Sequence, residues 1–503
     1  MNPLQSKSLR LQVVIPAFFG LAALLMTTAL SSDQGSGFFK QIQGQIVGTF
    51  GGFYIVSLSL LVCITLGLVL SPAGRLRLGP SDARPQFSTL SWFSMLFSAG
   101  MGIGLLFYGV AEPVYHFESP PYESASLSKD ALAMRVTFFH WGLHPWALYA
   151  MVGLALSFFA YRHQLPMTLR STLYPLLKEK IYGPIGDALD ALAIISTLVG
   201  VATSLGLGVL QINAGLTFLV DAPDARWFQS LLIAMITLAA TLSVVSGLAN
   251  GVRRLSEMNL VVASLLLVSV LSFGPTGQIV VGYFENVSHY LTGLLHHSTW
   301  TGGNEQEQGW LAGWTIFYWA WWIAWAPFVG MFIAKISYGR TVREFIAAVI
   351  LVPTLVGFAW LTIFGEAALY ELMQDGSGLS AAVNTAMPTA LFTLLQTYPL
   401  GTLLCGAAVI SIILFFITSS DSASLVIDSL ASGGNPNPPT HQKIGWAILE
   451  GVVAATLLYM GGLKALQTAS LTTALPFCAA ILLMCFSLGL GVYRDLKDDP
   501  RAT

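Results

Sequence analysis

Residues 317–330 read Phe-Tyr-Trp-Ala-Trp-Trp-Ile-Ala-Trp-Ala-Pro-Phe-Val-Gly. They lie within an apolar stretch, 312–336, whose only charged residue is Lys335 near its end. A helix needs about 20 such residues to cross a bilayer. Trp314, Tyr318, Trp321 and Trp325 recur at i, i+4, i+7 and i+11, which stacks them along one helical face, with Phe317, Trp322 and Phe328 beside them. Pro327 removes a backbone donor in mid-run and so frees a carbonyl. The stretch holds no carboxylate. It reads as a membrane helix carrying an aromatic stripe, and its chemistry suits a cation that offers no N–H donors.

The rest of the chain agrees with that reading. Of 503 residues, 55% are hydrophobic and 10% charged, against roughly 25% charged in a soluble domain. A soluble enzyme and a disordered chain are both excluded by those figures. A net charge of −2 offers no basic excess for nucleic acid. Aromatic residues reach 12%, more than lipid-facing helices require. The four cysteines, Cys63, Cys405, Cys478 and Cys485, sit in apolar runs with no CxxC spacing and read as packing residues.

Apolar runs of spanning length fall at 11–30, 48–70, 88–109, 133–161, 188–219, 227–248, 258–274, 312–336, 344–369, 395–429, 444–463 and 467–493, about twelve in all. Barrel-type alternation is absent, so the expected fold is all-α. The run 11–30 follows Lys7 and Arg10 and is read as a retained span, because similar runs recur throughout. Of the 23 Lys and Arg, 18 fall in segments on the N-terminal side of the membrane. Both termini are therefore expected in the cytoplasm, and the membrane is expected to be the inner, plasma membrane of a bacterial cell.

Segment 275–311 carries no Lys or Arg, and Val280, Tyr283, Phe284, Val287, Tyr290, Leu291 and Leu294 follow helical spacing. It reads as an amphipathic helix at the outer surface. It separates five spans in 88–274 from five in 312–493, after two N-terminal spans in 1–87 and before a short tail, 494–503. Two five-span halves of opposite orientation are what an inverted-repeat transporter shows. No phosphate-binding GxxxxGK[ST] loop occurs, which argues against an ATP-driven pump.

Three further constellations stand out. Ser98-Ala99-Gly100-Met101-Gly102-Ile103-Gly104 puts glycines on alternate residues, suiting either close helix packing or a helix broken at the midplane. Trp141, Trp146 and Tyr149 share roughly a 140° arc of the fourth span. Phe415-Phe416-Ile417-Thr418-Ser419-Ser420-Asp421-Ser422 offers hydroxyls that either bond back to their own helix or coordinate a hard cation such as Na⁺. His140 and His144 lack the Glu and third ligand of a zinc motif and read as structural. Glu112 and Glu366 read as local hydrogen-bonding acids, and the Asn286-Val287-Ser288 sequon as chance. The spans show neither a paired acid and base for an enzyme nor a polar stripe for a channel, so secondary transport is the reading the residues favour over an enzyme.

Residues 100–113, 140–149 and 317–330, with Gly339-Arg340-Thr341-Val342-Arg343-Glu344-Phe345, resemble the betaine/choline/carnitine transporter family. The resemblance covers essentially the whole chain. It implies twelve helices with an inverted five-plus-five core, usually trimeric, that move a quaternary-ammonium solute such as glycine betaine, with Na⁺ as coupling ion. In sodium-coupled members the ammonium sits in an aromatic prism, which falls here on Trp141, Trp146, Tyr149, Trp322 and Trp325. Phe107, Phe317 and Trp321 correspond to pathway residues, and Gly100, Met101, Gly102 and Gly104 to the loosened backbone that meets a carboxylate. The main sodium site falls on Ser98, Met101, Phe415, Thr418 and Ser419. A second falls on Thr197 and Phe328, with Val201 where a second threonine would stand. Proton-coupled choline members carry Asp at the position of Gly104, and choline, carnitine, ectoine or dimethylsulfoniopropionate remain alternatives.

Overall fold

Apolar runs this long cannot leave backbone N–H and C=O groups unpaired in lipid, so helices are the local solution. In the computed structural model the described residues form helices and no strand, with one isolated antiparallel bridge between Arg77 and Thr341. The structure describes residues 9–30, 36–100, 102–246, 252–374, 378–435 and 438–498. Ten helices among them are long and apolar enough to cross a membrane.

The first half comprises α1 (Leu11–Leu30), α2 (Ser36–Leu70), α3 (Thr89–Gly100), α4 (Ile103–Glu118), α5 (Lys129–Trp141), α6 (Leu143–Ser157), α7 (Pro184–Val220), α8 (Arg226–Ser246) and α9 (Val252–Phe273). Then come α10 (Thr276–Thr299), α11 (Glu305–Gly313), α12 (Thr315–Lys335), α13 (Val342–Met373), α14 (Gly401–Ala431) and α15 (Thr440–Asp498). Two differences separate ten from the expected twelve. The third span is divided into α3 and α4, of 12 and 16 residues, each too short to be counted. The last two runs form the single helix α15, bent at Gly462, whose φ of 61° is a left-handed conformation that favours glycine.

Burial sorts the helices. The most apolar windows of α7 and of the α5–α6 segment are 89% buried, whereas that of α9 is 22% buried. On α9 and α8 the residues Met258, Val261, Leu265, Val268, Leu231, Met235, Leu238 and Leu242 face outward, as a lipid-facing surface requires. The packed centre is α7 against α14 and α15, with α12 against α6 and α7. Gly153 and Gly330 let α6 and α12 touch: a β-carbon on Gly153 would lie 3.1 Å from the Gly330 carbonyl.

A helix, α10, forms within the segment 275–311. Its buried positions are Ile279, Gly282, Asn286, Tyr290, Gly293 and His297, while Val280, Phe284 and Leu291 are exposed. It rests on α5, α13 and α2 through small and polar residues, and its bulky apolar side is left for the membrane. Asn286 is buried and donates to Glu366 Oε1 at 2.7 Å, so the sequon is part of the packing.

Candidate functional site

Two spans are broken by extended or irregular glycines. The first break lies between α3 and α4. Gly102 is extended there (φ −162°, ψ −177°), and no side chain caps the first amides of α4. The second is at Gly142, between α5 and α6 (φ −90°, ψ −134°). The Tyr290 hydroxyl of α10 fills this break and accepts from the Leu143 amide at 2.9 Å. A β-carbon on Gly142 would lie 2.6 Å from that hydroxyl, so the position accepts no side chain without displacing it.

A cavity of about 730 Å³ is lined by Gly102 of the first break and by Trp141 and Pro145 on either side of the second. Its aromatic wall is Trp141, Trp146 and Tyr149 with Trp321, Trp322 and Trp325, and its floor is Gly102 and Gly104. Trp141 meets Trp322 edge to face at 4.9 Å, Trp321 stacks on Trp322 at 4.9 Å, and Trp146 meets Tyr149 at 5.5 Å. Trp322 and Trp325 are half-buried, exposed only where the cavity reaches them.

The indole nitrogens explain how the rings are held. Trp141 Nε1–H donates to Glu112 Oε2 at 2.9 Å. Trp322 donates to the His140 carbonyl at 3.0 Å, which the break after α5 leaves without its helical partner. Trp321 donates to the Ser204 hydroxyl at 3.2 Å, and Trp325 to the Gly200 carbonyl at 2.9 Å. With four N–H groups committed to protein, the wall presents ring faces. The only carboxylate on the cavity wall among the described residues is Glu257, exposed at one end. That end, with Ser94, Ser256 and Ser422, lies toward the starts of α3 and α9 and the end of α14, the side of the basic segments around Arg75 and Arg340.

The hydroxyl cluster reaches the same cavity, where Phe415, Thr418 and Ser419 line it. Thr418 donates back to the Leu414 carbonyl at 3.0 Å. A hydroxyl that gives its proton to its own helix keeps its lone pairs for a cation. Met101 lies outside the described residues, as does the side chain of Ser98, and Gly100 ends α3. Val201 and Phe328 also line the cavity. Thr197 is fully buried and donates to Ala193 at 2.8 Å. Phe107 and Phe317 are 1% exposed and stand behind the wall, against Tyr108 and Trp321, so the cavity does not reach these two expected pathway residues.

Glu112, His140 and Glu450 carry more than the sequence suggested. Glu112 is fully buried and gathers His140 Nδ1 at 2.6 Å, His116 Nε2 at 3.3 Å and the Tyr318 hydroxyl at 2.5 Å, besides Trp141. Its oxygen and the two imidazoles are close enough to hold a metal ion. However, both carboxylate oxygens already accept hydrogen bonds, and His140 Nε2 pairs with Thr315 at 2.9 Å, so the group reads as a hydrogen-bond hub. The i, i+4 spacing of Glu112 and His116 was its one sequence signal. Glu450 on α15 is also fully buried, and accepts from Ser420 and Ser424 beside the hydroxyl cluster.

A chain whose described residues are helical, with spans broken beside an aromatic cavity, has the architecture of a membrane transporter. The profile described as "BCCT, betaine/carnitine/choline family transporter" matches residues 12–497, and the chain belongs to that family. It is 43% identical over 484 residues to the glycine betaine transporter OpuD of Bacillus subtilis, covering 96% of this chain and 94% of that protein. A glycine betaine transporter of Acinetobacter baylyi is 43% identical over 478 residues, covering 95% and 72% of the two chains. A glycine betaine/proline/choline transporter of Vibrio parahaemolyticus is 41% identical over 505 residues, covering 96% and 90%. The chain is thus a multi-pass membrane transporter of the betaine type, and not an enzyme.

Proposed function

We propose that the protein imports glycine betaine by Na⁺ symport with alternating access. The observation that carries this is the commitment of four of the five wall indole N–H groups to protein, which leaves ring faces around a cavity whose only carboxylate among the described residues is at its mouth. A trimethylammonium group offers no N–H, needs no acceptor, and gains up to about 2 kcal/mol from each face when desolvated. The substrate carboxylate is read to lie at the uncapped start of α4, where backbone amides and the helix dipole favour an anion. The backbone there is free to approach because Gly102 has no β-carbon. Relatives named for glycine betaine support this substrate over the other zwitterions.

Sodium is placed on the Phe415 carbonyl and the Thr418 and Ser419 hydroxyls, completed by Ser98 and Met101. Hard oxygen ligands fit that ion. One Na⁺ moving down 100 mV contributes about 2.3 kcal/mol, and a tenfold gradient about 1.4 kcal/mol more. Together these sustain roughly 500-fold accumulation, so one ion suffices. The cavity opens toward the basic segments, which the distribution of Lys and Arg assigns to the cytoplasm, so the conformation is read as inward-facing. The inverted five-plus-five arrangement of 88–274 and 312–493, cytoplasmic termini and a homotrimer complete the reading.

A second reading, choline uptake, draws on the relative whose name includes choline. The test is uptake by proteoliposomes of labelled glycine betaine, choline, proline and ectoine, with and without an inward sodium gradient. Gradient-driven betaine accumulation is expected. Choline uptake without betaine uptake, or betaine uptake indifferent to sodium, would overturn the proposal.

A further inference from the structure

Behind the aromatic wall, on the side away from the open end, sits a carboxylate that does not itself line the cavity. Glu112 is fully buried on α4, nine residues beyond the break that starts that helix. At about 1.5 Å per residue it stands roughly 14 Å along the axis from the cavity floor. A charge in such a place is costly unless it is paired and hydrogen-bonded. Its two oxygens are met by four side chains from three helices: His116 on α4 itself, His140 and Trp141 on α5, and Tyr318 on α12. His140 in turn reaches Thr315, so α5 is tied to α12 a second time. Tyr108, Tyr115 and Trp314 pack around the group, and Glu112 and His116 are fully buried beneath them.

Trp141 is the one residue shared by this hub and the cavity. Its N–H is bound to Glu112, its ring stands edge to face with Trp322, and its far edge closes onto Gly104. The direction of the indole is therefore set from behind by the carboxylate. Opening a path on this side requires α4, α5 and α12 to part, and every bond to Glu112 from α5 or α12 crosses one of those seams. We propose that Glu112 is a positioning residue for substrate. It fixes the Trp141 face toward the ammonium only while the far side is closed, and so couples a complete binding wall to closure of that path. This rests on the betaine reading given above.

A carboxylate is required because both oxygens must accept. A glutamine would keep the shape but offer one accepting oxygen: its N–H₂ group either faces the Trp141 indole donor, or faces His140 and His116 and forces both imidazoles to change tautomer in order to accept. A hydrogen bond to a charged group is commonly worth a factor of ten or more. Glycine betaine binding to purified protein, followed by tryptophan fluorescence or calorimetry with sodium present, is measured for the unaltered chain, Glu112→Gln, Trp141→Phe and the double variant. Trp141→Phe keeps a ring face and removes only the N–H and part of the ring. Each single change is expected to raise Kd at least tenfold. The double variant is expected to be no more than about twofold worse than the weaker-binding single one, because one bond is lost in both.

Should Glu112→Gln fail to accumulate, Tyr318→Phe, which removes one donor from the same oxygen, is expected to raise Kd severalfold with an unfolding midpoint near that of the unaltered chain. Glu112→Gln or Tyr318→Phe binding within twofold of the unaltered protein would overturn the inference, as would single effects that multiply in the double variant. If the unaltered chain itself does not bind betaine, the functional reading fails first and this inference with it.

Discussion

A β-carbon on Gly104 would lie 2.7 Å from Cη2 of Trp141 and 2.8 Å from Cη2 of Trp321. These rings come from α5 and α12, so the absence of one methyl group lets two helices close their aromatic edges over the start of α4. Gly104→Ala is expected to push the rings apart. Overpacking of this size costs about 1–3 kcal/mol, which corresponds to roughly a 5- to 150-fold rise in betaine Kd. Isothermal titration of the variant would check it, and unchanged affinity would show that these rings do not define the site.

Trp325→Leu removes one face of the proposed prism and its bonds to the Gly200 carbonyl and the Ser204 hydroxyl. Losing one desolvated cation–π contact of about 2 kcal/mol corresponds to roughly a 30-fold loss of betaine affinity. The side chain is half-buried at the cavity, so the fold is expected to survive. Equal affinity of variant and parent in a fluorescence titration would rule out the prism.

Thr418→Ala combined with Ser419→Ala deletes both hydroxyl ligands of the proposed sodium site while leaving the Phe415 carbonyl. Half-maximal sodium for betaine uptake is expected to rise at least about tenfold, the equivalent of one lost ligand interaction of about 1.4 kcal/mol. An unchanged sodium dependence in proteoliposomes would remove the ion from this position.

Much of this was legible in the sequence because bilayer thickness imposes one strong rule. Runs of about 20 apolar residues had to be helices, and the stripe from Trp314 to Trp325 announced its own face. The glycines at 100, 102 and 104 pointed either to close packing or to a broken span, and both occur: Gly102 is extended between α3 and α4, and Gly104 lies against Trp141 and Trp321. Other features depended on distance between segments. Nothing local shows that Glu112 meets Tyr318, 206 positions away, or that Glu450 meets Ser420. The face that α10 turns inward is likewise fixed by its neighbours. In a membrane, apolar residues can face lipid, so Val280 and Phe284 point out and Gly282 and Asn286 pack inward. The recession of Phe107 and Phe317 behind the wall likewise depends on neighbouring helices that fill the space first.

Asp190 illustrates the energetic side of the fold. It is fully buried on α7 and holds Arg170, itself 1% exposed, through Nε at 2.5 Å and through its backbone amide at 3.0 Å. Arg170 also meets Asp187, which Arg10 approaches at 3.2 Å from the chain's first described turn. Asp190→Asn breaks a buried pair, a change that costs about 3–5 kcal/mol. A clear fall in the unfolding midpoint of purified protein is expected. An unshifted midpoint would mean that Asp187 alone compensates Arg170.

Val201 tests the number of coupled ions. It lines the cavity four residues after Thr197, whose hydroxyl donates to Ala193 and so keeps lone pairs for a ligand. The valine methyls offer none, and one ion is the stoichiometry proposed. Val201→Thr is nearly equal in volume, and its hydroxyl can donate back to the Thr197 carbonyl one turn earlier. That would leave two sets of lone pairs one turn apart beside Phe328. If the position is a dormant second site, the sodium dependence of betaine uptake should become steeper than hyperbolic, and the limiting betaine accumulation at a fixed gradient should increase, because a second ion adds its own driving force. A dependence that stays hyperbolic, with accumulation unchanged, would show that Thr197 and position 201 do not form an ion site in this chain.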